Sequence, residues 1–216
     1  AKASTDITYW PLALRAGVEL RTRCRVREVT TNGADMVTGV NYYDADGVER
    51  FQPAEVVILA CNGVGTPRLL LNSASPAFPD GLANSSGLVG KNLMLHPWPQ
   101  VFGYVDERVD GDRAPITVMW SKEFYETDPA RDFVRGYTLQ FGRGTGPANE
   151  AITSAAAGRL PWGAEHHRVY RELLYKRVQI GVACEDLPEE HNCVTLDPVL
   201  TDSHGIPAPR IDYTIG

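Results

Sequence analysis

Gly63 and Gly65 stand in VVILACNGVGTPRLLLNS (56–73), one residue apart, between an apolar run and a leucine-rich segment. A strand, a glycine turn and a helix in that order bring backbone N–H groups and a helix N-terminus to one point, which suits an anion or a cofactor edge. Glycine also lets a ligand approach the backbone without a Cβ clash. Any strand-to-helix connection favours glycine, so the pattern is shared with purely structural turns. The full fingerprint G-x-G-x-x-G is absent, as are Walker-type phosphate loops and metalloprotease motifs.

The five histidines form no recognisable ligand set. His96, between Leu95 and Pro97, either lines a cavity or is a loop histidine bonded to backbone. His166 and His167 are adjacent on a helical stretch and point in different directions, so a shared metal is not expected. His191 and His204 fall in turns, where surface roles are expected. Glu185, Asp186, Glu189 and Glu190 read as a solvated acidic loop in preference to a cation site. Trp98, Trp120 and Trp162 could stack on a sugar, but core packing or loop anchoring is the favoured reading. Cys24, Cys61, Cys184 and Cys193 show no C-x-x-C or zinc-finger spacing, so free thiols in a reducing compartment are the default. No metal site is expected.

At 216 residues the chain is long enough for one large domain or two small ones. A net charge of −6 and the lack of a basic stripe argue against nucleic-acid binding. No apolar run reaches the ~18–20 residues needed to cross a bilayer. The chain does not start with methionine and has no signal-peptide layout, so an excised or partial chain is expected.

Several elements must position the glycine turn. TYWPLALRA (8–16) predicts a short helix closed by Gly17. Residues 18–30 alternate as a strand, Asn32-Gly33 is a turn, 36–43 a second strand, and Asp46-Gly47 a second turn. A short edge strand follows. Val56–Ala60, without polar alternation, predicts a strand covered on both faces, as in a parallel sheet. The helix after the turn is expected to start with Pro67 near its first position. Residues 76–99 read as loop. VFGYV, ITVMW, YTLQFG, KRVQIGVAC, CVTLD and PRIDYTI give six further strands, and 164–177 a helix. Residues 144–163 are expected to be a mobile loop.

The order of these elements, followed by PDGLANSSGLVGKNLMLHP, resembles the glucose–methanol–choline (GMC) family of FAD-dependent oxidoreductases. The resemblance rests on Ser4-Thr5, the buried strand and glycine turn, the GLVGKNL loop with its His-Pro, and the closing D-x-x-G-x-P turn of 193–215. It covers most of 1–100 and 182–216, while 101–181 is less diagnostic. It implies an α+β/α/β fold: a partial, Rossmann-like FAD-binding domain with a β-meander over 1–95, then a mostly antiparallel substrate domain over 96–216.

By the same resemblance, Val26 contacts the adenine end of FAD, and Ala60, Cys61, Asn62, Gly63, Gly65, Asn92 and His96 border the cofactor. Two positions depart from the family. Leu95 replaces the usual Asp before the His, which suggests the gluconate- and sugar-oxidising members or the pyranose oxidases. Cys61-Asn62 replaces Ala-Gly, and Asn62 either adds a polar contact near the flavin or only tolerates a tight turn.

The resemblance implies a parent enzyme that oxidises a primary or secondary alcohol or a sugar hydroxyl. Hydride passes to flavin while a histidine takes the hydroxyl proton. The family's phosphate fingerprint and catalytic histidine fall outside these residues, so no catalytic residue is assigned and the isolated chain is expected to be inactive. The expected partners are a small alcohol or sugar and an electron-acceptor subunit. Localisation stays open, cytoplasmic by default and periplasmic if an upstream signal exists. The alternatives are a stand-alone binding module and a NAD-type dehydrogenase fragment; absence of G-x-G-x-x-G and Tyr-x-x-x-Lys counts against the latter.

Overall fold

The computed structural model describes residues 4–111, 113, 117–144 and 146–215. Contacts divide them into two compact units, one of residues 4–94 with 187–215 and one of residues 95–186. The sequence reading divides the chain at 95/96, with 96–216 together; by contacts, residues 187–215 group with 4–94.

The first unit opens with helix α1 (Tyr9–Arg15), and Gly17 beyond it has φ +90°, the left-handed conformation expected past a helix end. A three-stranded antiparallel meander follows: β1 (Arg25–Thr31), β2 (Val37–Tyr43) and β3 (Glu49–Pro53). Its turns are chemically specified. Asn32 Oδ1 accepts from the amides of Ala34 and Met36, and Asp44 Oδ1 accepts from Asp46 and Val48. The predicted strand 18–30 is shorter than its alternation implied. Pairing begins only at Arg25, and a bulge between Val26 and Glu28 shifts the alternation so that Val29 faces the core.

Helix α2 (Asn62–Asn72) packs on β1 and on the hairpin of β8 (Cys193–Thr201) and β9 (Pro207–Asp212). Val29, Leu69, Val194 and Ile206 form the buried apolar core of this unit. Ser73 at the end of α2 joins it to β1: its Oγ accepts from Val29 N at 2.9 Å and donates to Leu69 O at 2.7 Å. The loop 87–94 is pinned to β8 by Val194 N→Gly90 O (2.7 Å) and Leu93 N→Asn192 O (2.8 Å).

Two expectations in this unit are corrected. Val56–Ala60 joins no sheet among the described residues, and Val56 and Ile58 are 77% and 87% exposed. An apolar run becomes a strand only where neighbours pair its backbone, and no described strand lies beside it. Pro67 is not at the first helical position but in the interior of α2, since the helix starts at Asn62. Pro67 removes the amide that would bond the Gly63 carbonyl, and Gly63 and Gly65 occupy the first helical turn instead of preceding it.

The second unit is a four-stranded antiparallel sheet in the order β4 (Gln100–Tyr104), β7 (Arg177–Cys184), β6 (Tyr137–Arg143), β5 (Thr117–Ser121). It carries helices α3 (Pro147–Ala156) and α4 (His166–Leu173). Helix α3 corrects the expectation of a mobile loop over 144–163. Gly146 at φ +98° and Pro147 at the first turn set its start, and Tyr104 Oη donates to buried Glu150 at 2.8 Å. The fold is therefore mixed helix and antiparallel sheet, α+β in class.

Candidate cofactor grooves around the first turn of α2

Asn62 adopts φ +64°, a conformation asparagine tolerates better than most residues. Its Oδ1 accepts from Val64 N (2.9 Å) and Gly65 N (3.0 Å), so the side chain caps the helix it begins. Two of the first amides of α2 are thus already satisfied, which removes donors a phosphate would use. A Cβ on Gly65 would stand 3.0 Å from that of Cys61, so glycine there leaves Cys61 its place.

A groove of about 360 Å³ runs between this turn and the start of β1. Val26, Cys61, Asn62 and Gly65 line it, with Arg25, Arg27, Arg68 and Asn72. The volume lies at the lower end of the ~300–1,000 Å³ typical of small-molecule sites. Its walls are fixed by hydrogen bonds: Asn72 Nδ2 donates to Arg27 O at 2.8 Å, and Arg27 meets Glu28 at 2.7 Å and Glu49 at 3.1 Å. The Glu28 contact leads in holding the Arg27 guanidinium above its ordinary pKa.

Arg68 closes the far side. It donates from Nε to Pro207 O (2.7 Å) and from Nη2 to Asp202 Oδ2 and Ile206 O (3.0 Å each). Asp202 organises the D-x-x-G-x-P turn through Oδ1, which accepts from His204 N and Ile206 N. Burial pushes the Asp202 carboxyl up, but these two amides and Arg68 outweigh it and hold the group below the usual carboxylate range.

A second groove, of about 380 Å³, uses the same helical turn and the 89–94 loop. Gly63 and Asn92 line it, with Thr66, Pro67 and Lys91. Asn92 has φ +57°, and Lys91 pairs with Glu190 at 3.3 Å.

The structure therefore brings Val26, Cys61, Asn62 and Gly65 to one groove and Gly63 and Asn92 to another. Ala60 is exposed and lines neither. His96 belongs to the second unit, where its Nδ1 lies 2.9 Å from the Cys184 carbonyl. His166 and His167 meet edge to face at 5.5 Å, and His204 stacks on Tyr43 at 5.1 Å. Among the described residues no group of three or more His, Cys, Asp or Glu is placed to hold a metal, and no helix is long and apolar enough to cross a membrane. Sequence reasoning passed over Arg68 and Asn72. Arg68 had a signal in its distant partner, the Asp202 turn already noted by its spacing; Asn72 had none, because it bonds a backbone carbonyl.

Comparison with known proteins decides what this turn belongs to: residues 1–98 match the GMC oxidoreductase family. Residues 1–98 are a GMC oxidoreductase segment. The GMC family is FAD-binding, and both grooves lie in the unit that contains most of its matched residues. The chain is 41% identical over 209 residues to 2-methyl-1,2-propanediol dehydrogenase of Mycolicibacterium austroafricanum, covering 95% of this chain and 38% of that protein. It is 35% identical over 207 residues to paromamine 6'-oxidase of Streptomyces fradiae (94% and 35%). It is 26% identical over 204 residues to the fructose dehydrogenase large subunit of Gluconobacter japonicus (94% and 37%). The chain thus spans well under half the length of these GMC-type relatives.

Proposed function

We propose that the chain is part of an FAD-dependent oxidoreductase that oxidises a hydroxyl of a small alcohol or sugar. The observation that carries this reading is the convergence of Val26, Cys61, Asn62 and Gly65 on one groove beside a GMC-type helical turn. The relatives' names, a diol dehydrogenase, a fructose dehydrogenase subunit and an aminoglycoside-type oxidase, support the substrate class.

The residues fit one edge of the cofactor. Val26 offers an apolar wall, 39% exposed, for the adenine end, and Gly65 and Cys61 leave the backbone approachable beside it. Gly63 and Asn92 would border the cofactor from the second groove. Bound FAD supplies the hydride acceptor; these side chains orient it and exclude water from its edge. Residues 4–94 with 187–215 form the cofactor-binding part in this reading, and residues 95–186 the substrate-binding part. The "large subunit" in the Gluconobacter protein's name supports a partner subunit, to which this reading gives the role of electron acceptor.

The isolated 216 residues are expected to hold FAD weakly or not at all and to be inactive. The amides of Val64 and Gly65 are committed to Asn62, and G-x-G-x-x-G is absent. Calorimetric titration of FAD into the isolated chain tests this: weak or no heat is expected, and tight binding would overturn it. The functional reading is tested on the full-length gene product, which should copurify with flavin and reduce it when given a diol or sugar anaerobically.

A further inference from the structure

We infer that one face of the four-stranded sheet in the second unit is a carbohydrate-binding surface built around Trp98, Trp120 and Gln140. Residues directly opposite in antiparallel strands share a face. The register aligns Gln100, Gly181, Gln140 and Trp120 in one row across all four strands. The next row on that face is Phe102, Gln179 and Gly142.

Two glycines make this face unusual. A Cβ on Gly181 would come within 3.0–3.2 Å of the Trp98 indole, and one on Gly142 within 2.8 Å of the Gln179 side chain. Each bare position lets a neighbouring side chain lie across the strand instead of standing off it. The result is an indole beside a row of amides, with a second indole at its far end. Trp98 is 43% exposed and Trp120 58%, so of the two readings favoured from sequence, core packing and loop anchoring, core packing does not describe them. Trp162 is separate: it is 99% exposed in the α3–α4 connection.

The same face continues into a pocket of about 230 Å³ lined by Gln100, Gln179, Arg177 and Asn149. Arg177 is fixed there, with Nη1 donating to Thr153 at 2.7 Å and Cζ 4.2 Å from the Phe102 ring centroid. Indole faces take up the C–H face of a pyranose ring, while primary amides both donate to and accept from vicinal hydroxyls. An apolar ligand would leave the amides unmatched, and an inorganic anion would not use the indoles. The combination commits the surface to a polyhydroxylated ring. This deepens the proposed reading by assigning the sugar class, and it rests on that reading only for the choice of probe.

The test is binding of methyl glucoside to the full-length gene product, followed by saturation-transfer NMR with flavin absorption recorded on the same samples. Wild type should bind the glycoside. Trp120→Ala and Gln140→Leu should each weaken binding by at least about tenfold, and Trp120→Phe should retain most of it. Flavin content should be unchanged in all three. No glycoside binding by wild type, or wild-type affinity in both Trp120→Ala and Gln140→Leu, would overturn the inference. So would Trp98 and Trp120 that are shielded from acrylamide quenching in the full-length protein without glycoside, because another part of the protein would then cover the face. A yellow protein that does not bind the glycoside fails this inference alone, and a colourless one that binds it fails only the flavin reading.

Discussion

Arg68 Nη2 lies 3.0 Å from Asp202 Oδ2, joining helix α2 to a hairpin turn 134 residues later in the chain. Both side chains are largely buried, and the guanidinium also bonds two carbonyls of the same turn. Removing one partner leaves the other charge without its complement, which costs more than the pair contributes. Arg68→Met is therefore expected to destabilise the first unit by about 2–4 kcal/mol. Urea unfolding followed by a probe in that unit measures it; a change within experimental error would mean the pair is decorative.

The same carboxylate gives a pH dependence. Asp202 is held below its ordinary value of ~3.9, so its contribution is fully present above that pH and is lost as pH falls through the lowered folded value. The stability difference between wild type and Asp202→Asn should be constant above pH ~5 and shrink on acidification. Unfolding midpoints across pH 2–7 check this, and a difference that grows in acid would reverse the sign.

Gly90 and Gly87 separate two reasons for glycine. Both have positive φ, +86° and +69°. A Cβ on Gly90 would come 2.2 Å from Val194 O, whereas nothing lies within 4 Å at Gly87. Gly87→Ala should cost about 1–2 kcal/mol of backbone strain. Gly90→Ala should cost clearly more and release the 87–94 loop from β8, which amide exchange at Val194 and Leu93 would report. Equal effects at the two positions would contradict the packing argument.

Ser73→Ala removes the acceptor of the Val29 amide in the core, since Ser73 is only 4% exposed. The stranded amide should cost about 1–3 kcal/mol with no change in the second unit. Thermal unfolding of the variant decides it, and a neutral result would require another acceptor for Val29.

Much of this architecture is written locally in the chain. Asn32-Gly33 and Asp46-Gly47 announce the meander because their side chains and glycines set the turns within a few residues. The six later strand segments are equally local. What escaped is non-local or ambiguous. Residues 187–215 pack with the first unit through backbone hydrogen bonds of Val194 with Gly90 and of Leu93 with Asn192, and a glycine in the sequence does not name its distant partner. Helix α3 was hidden by the glycines that flank its short alanine-rich sequence, and a contact that holds it comes from a tyrosine 46 residues earlier. Val56–Ala60 has the composition of a buried strand, yet strand formation needs partners, and the described residues provide none. Of the candidate site, the Gly63–Gly65 turn was legible from its residues and Val26 only through the family resemblance, and their neighbourhood at one helical turn required the fold.

The central claim is that this groove serves a flavin, and the absorption spectrum of the purified full-length gene product tests it most directly. A flavin spectrum that bleaches on anaerobic addition of a diol or sugar is the expected result. A colourless protein that does not take up added FAD would contradict the account.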